Sequence, residues 1–216
     1  MPKGVFVTGI DTEIGKTVVS ALIVEALGAD YWKPVQSGDL HFSDTDKVRQ
    51  FTSEGRGVFH PEQYRLHTPL SPHASAAIDQ VDIELQAFHL PKTDNLLVVE
   101  GAGGLMVPLN DKDCIIDLIG QLGLPVVLVS KHYLGSINHT LLSIEALRRR
   151  NIPIAALIFN GPATPASEAA IEQFGDLTSL FRLDPLPAIN RETIAAAAAQ
   201  HRPVLQKALV DGTGED

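Results

Sequence analysis

Lys16 and Thr17 close the stretch VTGIDTEIGKT, residues 7–17. A Gly-rich loop ending in Gly-Lys-Thr can curl its backbone N–H groups around phosphate oxygens. The lysine then meets the terminal phosphates and the hydroxyl meets Mg2+. The count is unusual, because that pattern has four residues between its first Gly and its Gly-Lys pair. Here Gly9 and Gly15 enclose five: Ile10, Asp11, Thr12, Glu13 and Ile14. Two of these are acids, and a carboxylate facing bare phosphate is repelled. Asp11 and Glu13 are expected either to help hold Mg2+, which inverts the local charge logic, or to face away toward a cationic substrate. Glu13 is the stronger candidate for the substrate side. Either arrangement predicts a metal-complexed nucleotide.

Two further stretches carry the residue types such chemistry needs. VVEGAGG places Glu100 just past an apolar run, where a phosphate-loop fold holds its metal-facing carboxylate. Gly101, Gly103 and Gly104 would let the backbone approach a ligand closely, although a Gly-rich turn can be only a turn. WKPVQSG puts Lys33 at the end of a short strand. It reads as a second lysine for a transferring phosphoryl group, or as a solvated surface residue.

These groups need a scaffold that brings them to one edge. GVFVTG reads as a buried parallel strand, and the segment from Gly15 reads as a helix stopped by Gly28. DYWKPV reads as a second strand and SDTDKVRQFTSEG as a short helix. Residues 55–75 read as a long loop and residues 76–89 as a weak helix. Then follow a strand over Leu96–Val99, a helix in CIIDLIGQLGL, a strand in PVVLVS, a helix in SINHTLLSIEALRRR and a strand in IPIAALIFNG. The helix in SINHTLLSIEALRRR would turn Leu141, Leu142, Ile144 and Leu147 inward. Residues 165–175 and 191–209 complete the helices. Strands alternating with helices predict an α/β fold with a parallel sheet covered on both faces. Ligands bind at the carboxyl edge of such sheets, where the phosphate loop and Lys33 would both lie. Residues 1–210 are expected to form a single domain, and residues 211–216 a frayed tail.

The chain has 216 residues, 44% apolar and 20% charged, with a formal net charge of −9. That acidity argues against nucleic acid and anionic membrane as partners. One cysteine excludes an intrachain disulfide and a cysteine metal cage. The N-terminus has no signal-peptide pattern, and no apolar run approaches the ~18 residues of a membrane span. A cytoplasmic protein is expected.

GIDTEIGKT, KPVQSG and VEGAGGLMVPL, with SPHASA (residues 71–76) and LGSINHT (residues 134–140), together resemble the dethiobiotin synthetase family. The resemblance runs from residue 5 to about residue 160, and it includes the five-residue loop spacing. It implies a P-loop NTPase fold with a mostly parallel sheet of six or seven strands, a homodimer, and an ATP- and Mg2+-dependent ligase of biotin synthesis. Its substrates would be 7,8-diaminopelargonate, CO2 and ATP. Lys16, Lys33 and Ser37 would be catalytic. Gly9, Thr12, Glu13, Ile14, Gly15, Lys16, Thr17 and Asn160 would bind nucleotide, Asn160 by reading adenine. Thr17, Glu100 and an Asp of SDTD would hold Mg2+. Asp44 is preferred to Asp46, since it sets Val48 and Phe51 on one helical face. Thr12, Lys33, Ser37, Gly101, Gly103, Gly104 and, from the other subunit, Asn138 would meet the diamine. His139 reads as packing or capping, His73 as site-lining or merely rigid, and DPLPAIN as the rest of the base pocket. The rival reading is a partition-type P-loop ATPase switch, whose loop carries an extra Lys near its start. None stands between Gly9 and Gly15. Cobyrinate amidation enzymes, a second rival, carry a further domain with a catalytic cysteine, whereas Cys114 falls in an expected buried helix.

Overall fold

The computed structural model describes residues 3–211. Nine strands and seven α-helices alternate along them. The main sheet contains β1 (Gly4–Gly9), β2 (Asp30–Trp32), β4 (Phe59–His60), β6 (Leu97–Gly104), β7 (Val126–Ser130), β8 (Ile154–Asn160) and β9 (Phe181–Leu183). Their spatial order is β4-β2-β6-β1-β7-β8-β9 and every pairing is parallel. Each residue of β1 and of β7 is buried, so both faces of the sheet are covered. This matches the near-continuous apolar runs that suggested parallel strands.

Helix α1 (Lys16–Leu27) leaves β1 through the phosphate loop. It packs against α7 (Arg191–Leu209) and against α2 (Asp44–Phe51). Gly15 at its N-terminus has φ 96° and Gly28 at its C-terminus φ 64°, conformations that suit only glycine well. Helix α5 (Ser136–Arg149) packs on α6 (Pro165–Gly175), and α4 (Ile115–Leu122) lies against β6. No helix of the described residues is long and apolar enough to cross a membrane.

Several expectations are corrected. DYWKPV is two strands, not one. Pro34 removes a ladder donor, and the chain passes from β2 into β3 (Val35–Ser37), which pairs with β5 (Tyr64–Leu66) in a separate two-stranded sheet. Residues 55–75 are therefore not a structureless loop, since they contain β4 and β5. The weak helix begins earlier than expected, as α3 (Pro72–Asp79), and only a 3-10 turn at Leu85–Ala87 follows. β6 does not stop at Val99. It runs through the glycines to Gly104, which pairs with Gly9. On α5, Ile144 and Leu147 are buried as expected, but Leu141 is only half-buried and Leu142 is exposed. Cys114 is half-buried and precedes α4 rather than lying inside it. Apart from Asp211, the expected frayed tail lies outside the described residues.

Candidate active site

The carboxyl ends of β1, β2 and β6 open onto a cleft of about 730 Å³. Thr12, Glu13, Gly15, Lys16 and Thr17 of the phosphate loop form one wall. Lys33 and Ser37, Asp44 and Lys47 of α2, and Glu100 of β6 complete the polar lining. Four stretches far apart in the chain thus converge at one edge of the sheet.

At the floor lies a buried cluster of charge. Glu100 is 1% exposed. Its Oε1 accepts from the Thr17 hydroxyl at 2.9 Å and from Lys33 Nζ at 3.1 Å. Its Oε2 accepts from the Tyr31 hydroxyl at 3.0 Å. Lys33 is 4% exposed and reaches Asp44 Oδ2 at 2.8 Å. A solvated surface lysine is therefore not what Lys33 is. Burial alone would lower the Lys33 pKa, but Glu100 and Asp44 outweigh it and hold the ammonium above its ordinary value. Burial opposes ionisation of Asp44 too, yet Lys33 and then Lys47 bring its carboxyl down to about 2. Tyr31 is driven well above its ordinary value by burial and by the Glu100 charge, so it stays a donor.

Lys16 donates to the Asp11 carbonyl at 2.9 Å, folded back over its own loop. Burial, reinforced by repulsion from Lys33, lowers its pKa to about 8. Ser37 lines the cleft with a buried hydroxyl that has no protein partner among the described residues. Such an orphan is a hydrogen-bonding capacity reserved for a bound molecule.

The two candidate aspartates separate cleanly. Asp44 faces Lys33 and the cleft. Asp46 instead caps α2, accepting from Ser43 N and Oγ at 3.0 Å each, and pairs with Arg49 at 3.0 Å. Asp46 thus serves the capping box of Ser43, and Asp44 is the aspartate that lines the cleft. Thr17, Asp44 and Glu100 offer hydroxyl and carboxylate oxygens only. No group of three or more His, Cys, Asp or Glu suited to a metal exists among the described residues. Hard oxygens in that number fit Mg2+, which keeps waters and takes one or two carboxylates plus substrate phosphates.

Other expected residues fall differently. Gly103 lines the cleft, but Gly101 does not. A Cβ at 101 would lie 2.8 Å from the Phe6 ring, and the Gly101 carbonyl lies 3.5 Å from Lys33 Nζ. The side chain of Ile14 is buried against Gly9. Only the backbone of Ile14 is left to meet a nucleotide, and its carbonyl accepts from Asn160 Nδ2 at 2.8 Å. Glu13 is exposed in the cleft with φ 57°. Asp11 turns instead to a second pocket of about 400 Å³, which it shares with Thr12, Gly104 and His139. There the Tyr133 hydroxyl bridges Asp11 (3.3 Å) and His139 Nδ1 (2.7 Å), a contact beyond packing or capping. His73 is exposed outside the cleft, whose rim is Ser71 and Pro72. Asn138 lies on α5, away from the cleft of its own chain. Of DPLPAIN, Ile189 reaches the cleft.

Tyr31 and Lys47 were not foreseen. The signals existed, for Tyr31 shares a strand face with Lys33 two residues on, and Lys47 stands one helical turn after Asp44.

Residues 3–193 match the AAA domain family. The ATP-dependent dethiobiotin synthetase BioD of Christiangramia forsetii is 50% identical over 202 residues, covering 94% of this chain and 97% of that one. Its counterpart in Paramagnetospirillum magneticum is 46% identical, covering 89% and 93%. Among solved structures, the cell division ATPase MinD of Pyrococcus furiosus superposes with a TM-score of 0.56 at 13% identity, covering 96% and 99%. MinD of Pyrococcus horikoshii, solved with Mg-ADP, gives 0.54 at 13%, covering 95% and 93%. At that identity the likeness shows the P-loop fold alone and gives the switch reading no support. Sequence identity near one half, over almost the whole length of both chains, places this chain in the ATP-dependent dethiobiotin synthetase family, as an ATP-dependent ligase.

Proposed function

We propose that the cleft joins CO2 to 7,8-diaminopelargonate and closes the ureido ring of dethiobiotin, releasing ADP and phosphate. One neutral amine of the substrate attacks CO2 and gives a carbamate with loss of a proton. A carbamate oxygen attacks the γ-phosphorus of ATP and ADP leaves, forming a carbamic–phosphoric anhydride. The second amine attacks the carbamoyl carbon, the ring closes and phosphate departs.

The chain's own residues supply position and charge, which is what phosphoryl transfer requires. The N–H groups from Gly9 to Gly15 and the start of α1 cradle the phosphates. Lys16 neutralises charge on the γ-phosphate. Lys33, at the cleft floor, faces the carbamate oxygen, and the Ser37 hydroxyl donates to the same group. Thr12 and Glu13 meet the diamine from the loop, Glu13 as the anion for an ammonium. Thr17, Asp44 and Glu100 would hold Mg2+, which when bound would draw charge from the phosphates. Asn160 offers its remaining amide capacity to the base.

The single observation that carries this reading is Lys33. A lysine held charged and buried, in the same cleft as the phosphate-loop lysine, gives the site two cations for two anionic reactants. A second copy of the chain completes the site through Asn138. The supporting feature is an exposed apolar face around the start of α5, where Leu134, Ile137 and Leu142 lie close in sequence to Asn138. An assay of ATP turnover with and without 7,8-diaminopelargonate and bicarbonate tests the reading. Turnover indifferent to the diamine would overturn it.

A further inference from the structure

The two carboxylates of the floor are each held at both oxygens, by different partners. Glu100 gives Oε1 to Thr17 and Lys33 and Oε2 to Tyr31. Asp44 gives Oδ2 to Lys33, and Oδ1 to Lys47 at 3.0 Å. The inner oxygens therefore aim at one point, now taken by Lys33 Nζ, while the outer oxygens are tied from outside. Tyr31 does this from β2, fully buried. Lys47 does it from α2, and also reaches Asp39 Oδ2 at 3.6 Å across the loop that precedes the helix. The Asp44 amide in turn donates to Gln36 Oε1 at 3.2 Å, fixing the start of α2 against β3.

We propose that Tyr31 and Lys47 are positioning residues that keep Glu100 and Asp44 aimed at a shared cation seat. A carboxylate held at one oxygen only is free to swing about its last bond. With the outer oxygens tied, Oε1 and Oδ2 stay converged when Lys33 turns toward substrate, and a divalent cation finds its protein ligands already oriented. Tyr31 and Lys47 touch neither nucleotide nor substrate in this role. The proposal rests on the metal reading given above.

The test is calorimetric titration of Mg2+ into full-length protein saturated with the non-hydrolysable β,γ-methylene analogue of ATP. Tyr31→Phe and Lys47→Met are each expected to weaken Mg2+ binding about tenfold, the scale seen when partners of metal ligands are removed. Affinity for the metal-free analogue, measured in EDTA, stays within about twofold of the parent, which shows that fold and phosphate loop are intact. Lys47→Arg restores most of the loss, and in the full reaction raised Mg2+ recovers kcat in both variants. If both variants bind Mg2+ within about twofold of the parent, the positioning role is overturned. If the parent itself shows no Mg2+ binding to the nucleotide complex, the metal reading falls first and takes this proposal with it. Should Lys47→Met lose affinity for the metal-free analogue as well, Lys47 contacts phosphate directly and its part of the proposal is wrong.

Discussion

Replacing Lys33 by Met removes the ammonium and keeps most of the buried length. Two carboxylates then face each other at the cleft floor without their cation. At an effective dielectric of about 20, contacts of 2.8 and 3.1 Å are each worth on the order of 5–6 kcal/mol of Coulomb energy. Desolvation of the buried charges offsets much of that sum. The net cost of breaking such a buried pair is about 3–5 kcal/mol. At roughly 2–4 °C per kcal/mol for a chain of this size, the melting point falls by roughly 6–20 °C. The loss has a pH signature. Lys33 is held above its ordinary value of 10.5, so its contribution is complete below pH 10.5 and fades only above that. Asp44 is held down to about 2, so its contribution is complete above its ordinary 3.8 and fades as pH falls through about 2. On the parent's side these two contributions are therefore constant from pH 5 to 9, and the gap widens near pH 8, where Lys16, held down partly by Lys33, loses its proton. Mg2+ should stabilise the variant more than the parent, because in the parent it must displace an ammonium. Urea unfolding in EDTA and in Mg2+, with product formation measured alongside, decides the matter. Agreement within about 1 kcal/mol in EDTA would refute the buried-pair argument, and activity within about tenfold of the parent (about 1.4 kcal/mol) would refute the catalytic role.

Asp44→Asn and Asp46→Asn should differ in kind. The first raises the Mg2+ requirement of turnover by at least about tenfold, while the second costs about 1 kcal/mol of stability as a lost cap and leaves the requirement unchanged. Burial has lowered Lys16 to about 8, so nucleotide binding above that pH must restore its proton. Calorimetry at pH 8.5 in buffers of different ionisation enthalpy should show proton uptake absent at pH 6.5, and equal heats at both would contradict the lowered value. For the proposed dimer, Leu134→Glu should shift sedimentation from dimer to monomer at micromolar concentration. A variant that stays dimeric places the interface elsewhere.

The scaffold was readable where one element alone decides its own form. β1, α1, β7, β8, α6 and α7 follow from apolar runs, helical spacing and glycine or proline stops. β4 and β5 were hidden because strands of two and three residues carry no period of their own and exist by pairing with β2 and β3. Leu142 was read as inward because a leucine on a helix looks the same whether its own sheet or another surface covers it. The sequence could not show that Phe6 fills the space beside Gly101, which alone demands a glycine there. In the site, residue types named the phosphate loop, Lys33 and Glu100. Choosing Asp44 over Asp46 rested on a helical face, and it is the Ser43 cap that separates them by geometry. The roles of Tyr31 and Lys47 lay outside any single motif, since each depends on a carboxylate supplied by another element.

The hydrogen bond from Asn160 to the Ile14 carbonyl spans 146 positions of sequence. A Cβ on Gly15 would sit 2.0 Å from the same amide nitrogen, so loop and amide are fitted to each other with no slack. The arch of the phosphate loop is thus braced by a strand laid down near the far end of the chain. During synthesis, a ribosome-bound fragment ending before β8 would own every residue that grips a phosphate and still lack the strut that sets their curvature. Phosphate-binding competence should accordingly switch on late, when residue 160 clears the exit tunnel, rather than grow with the first half of the fold.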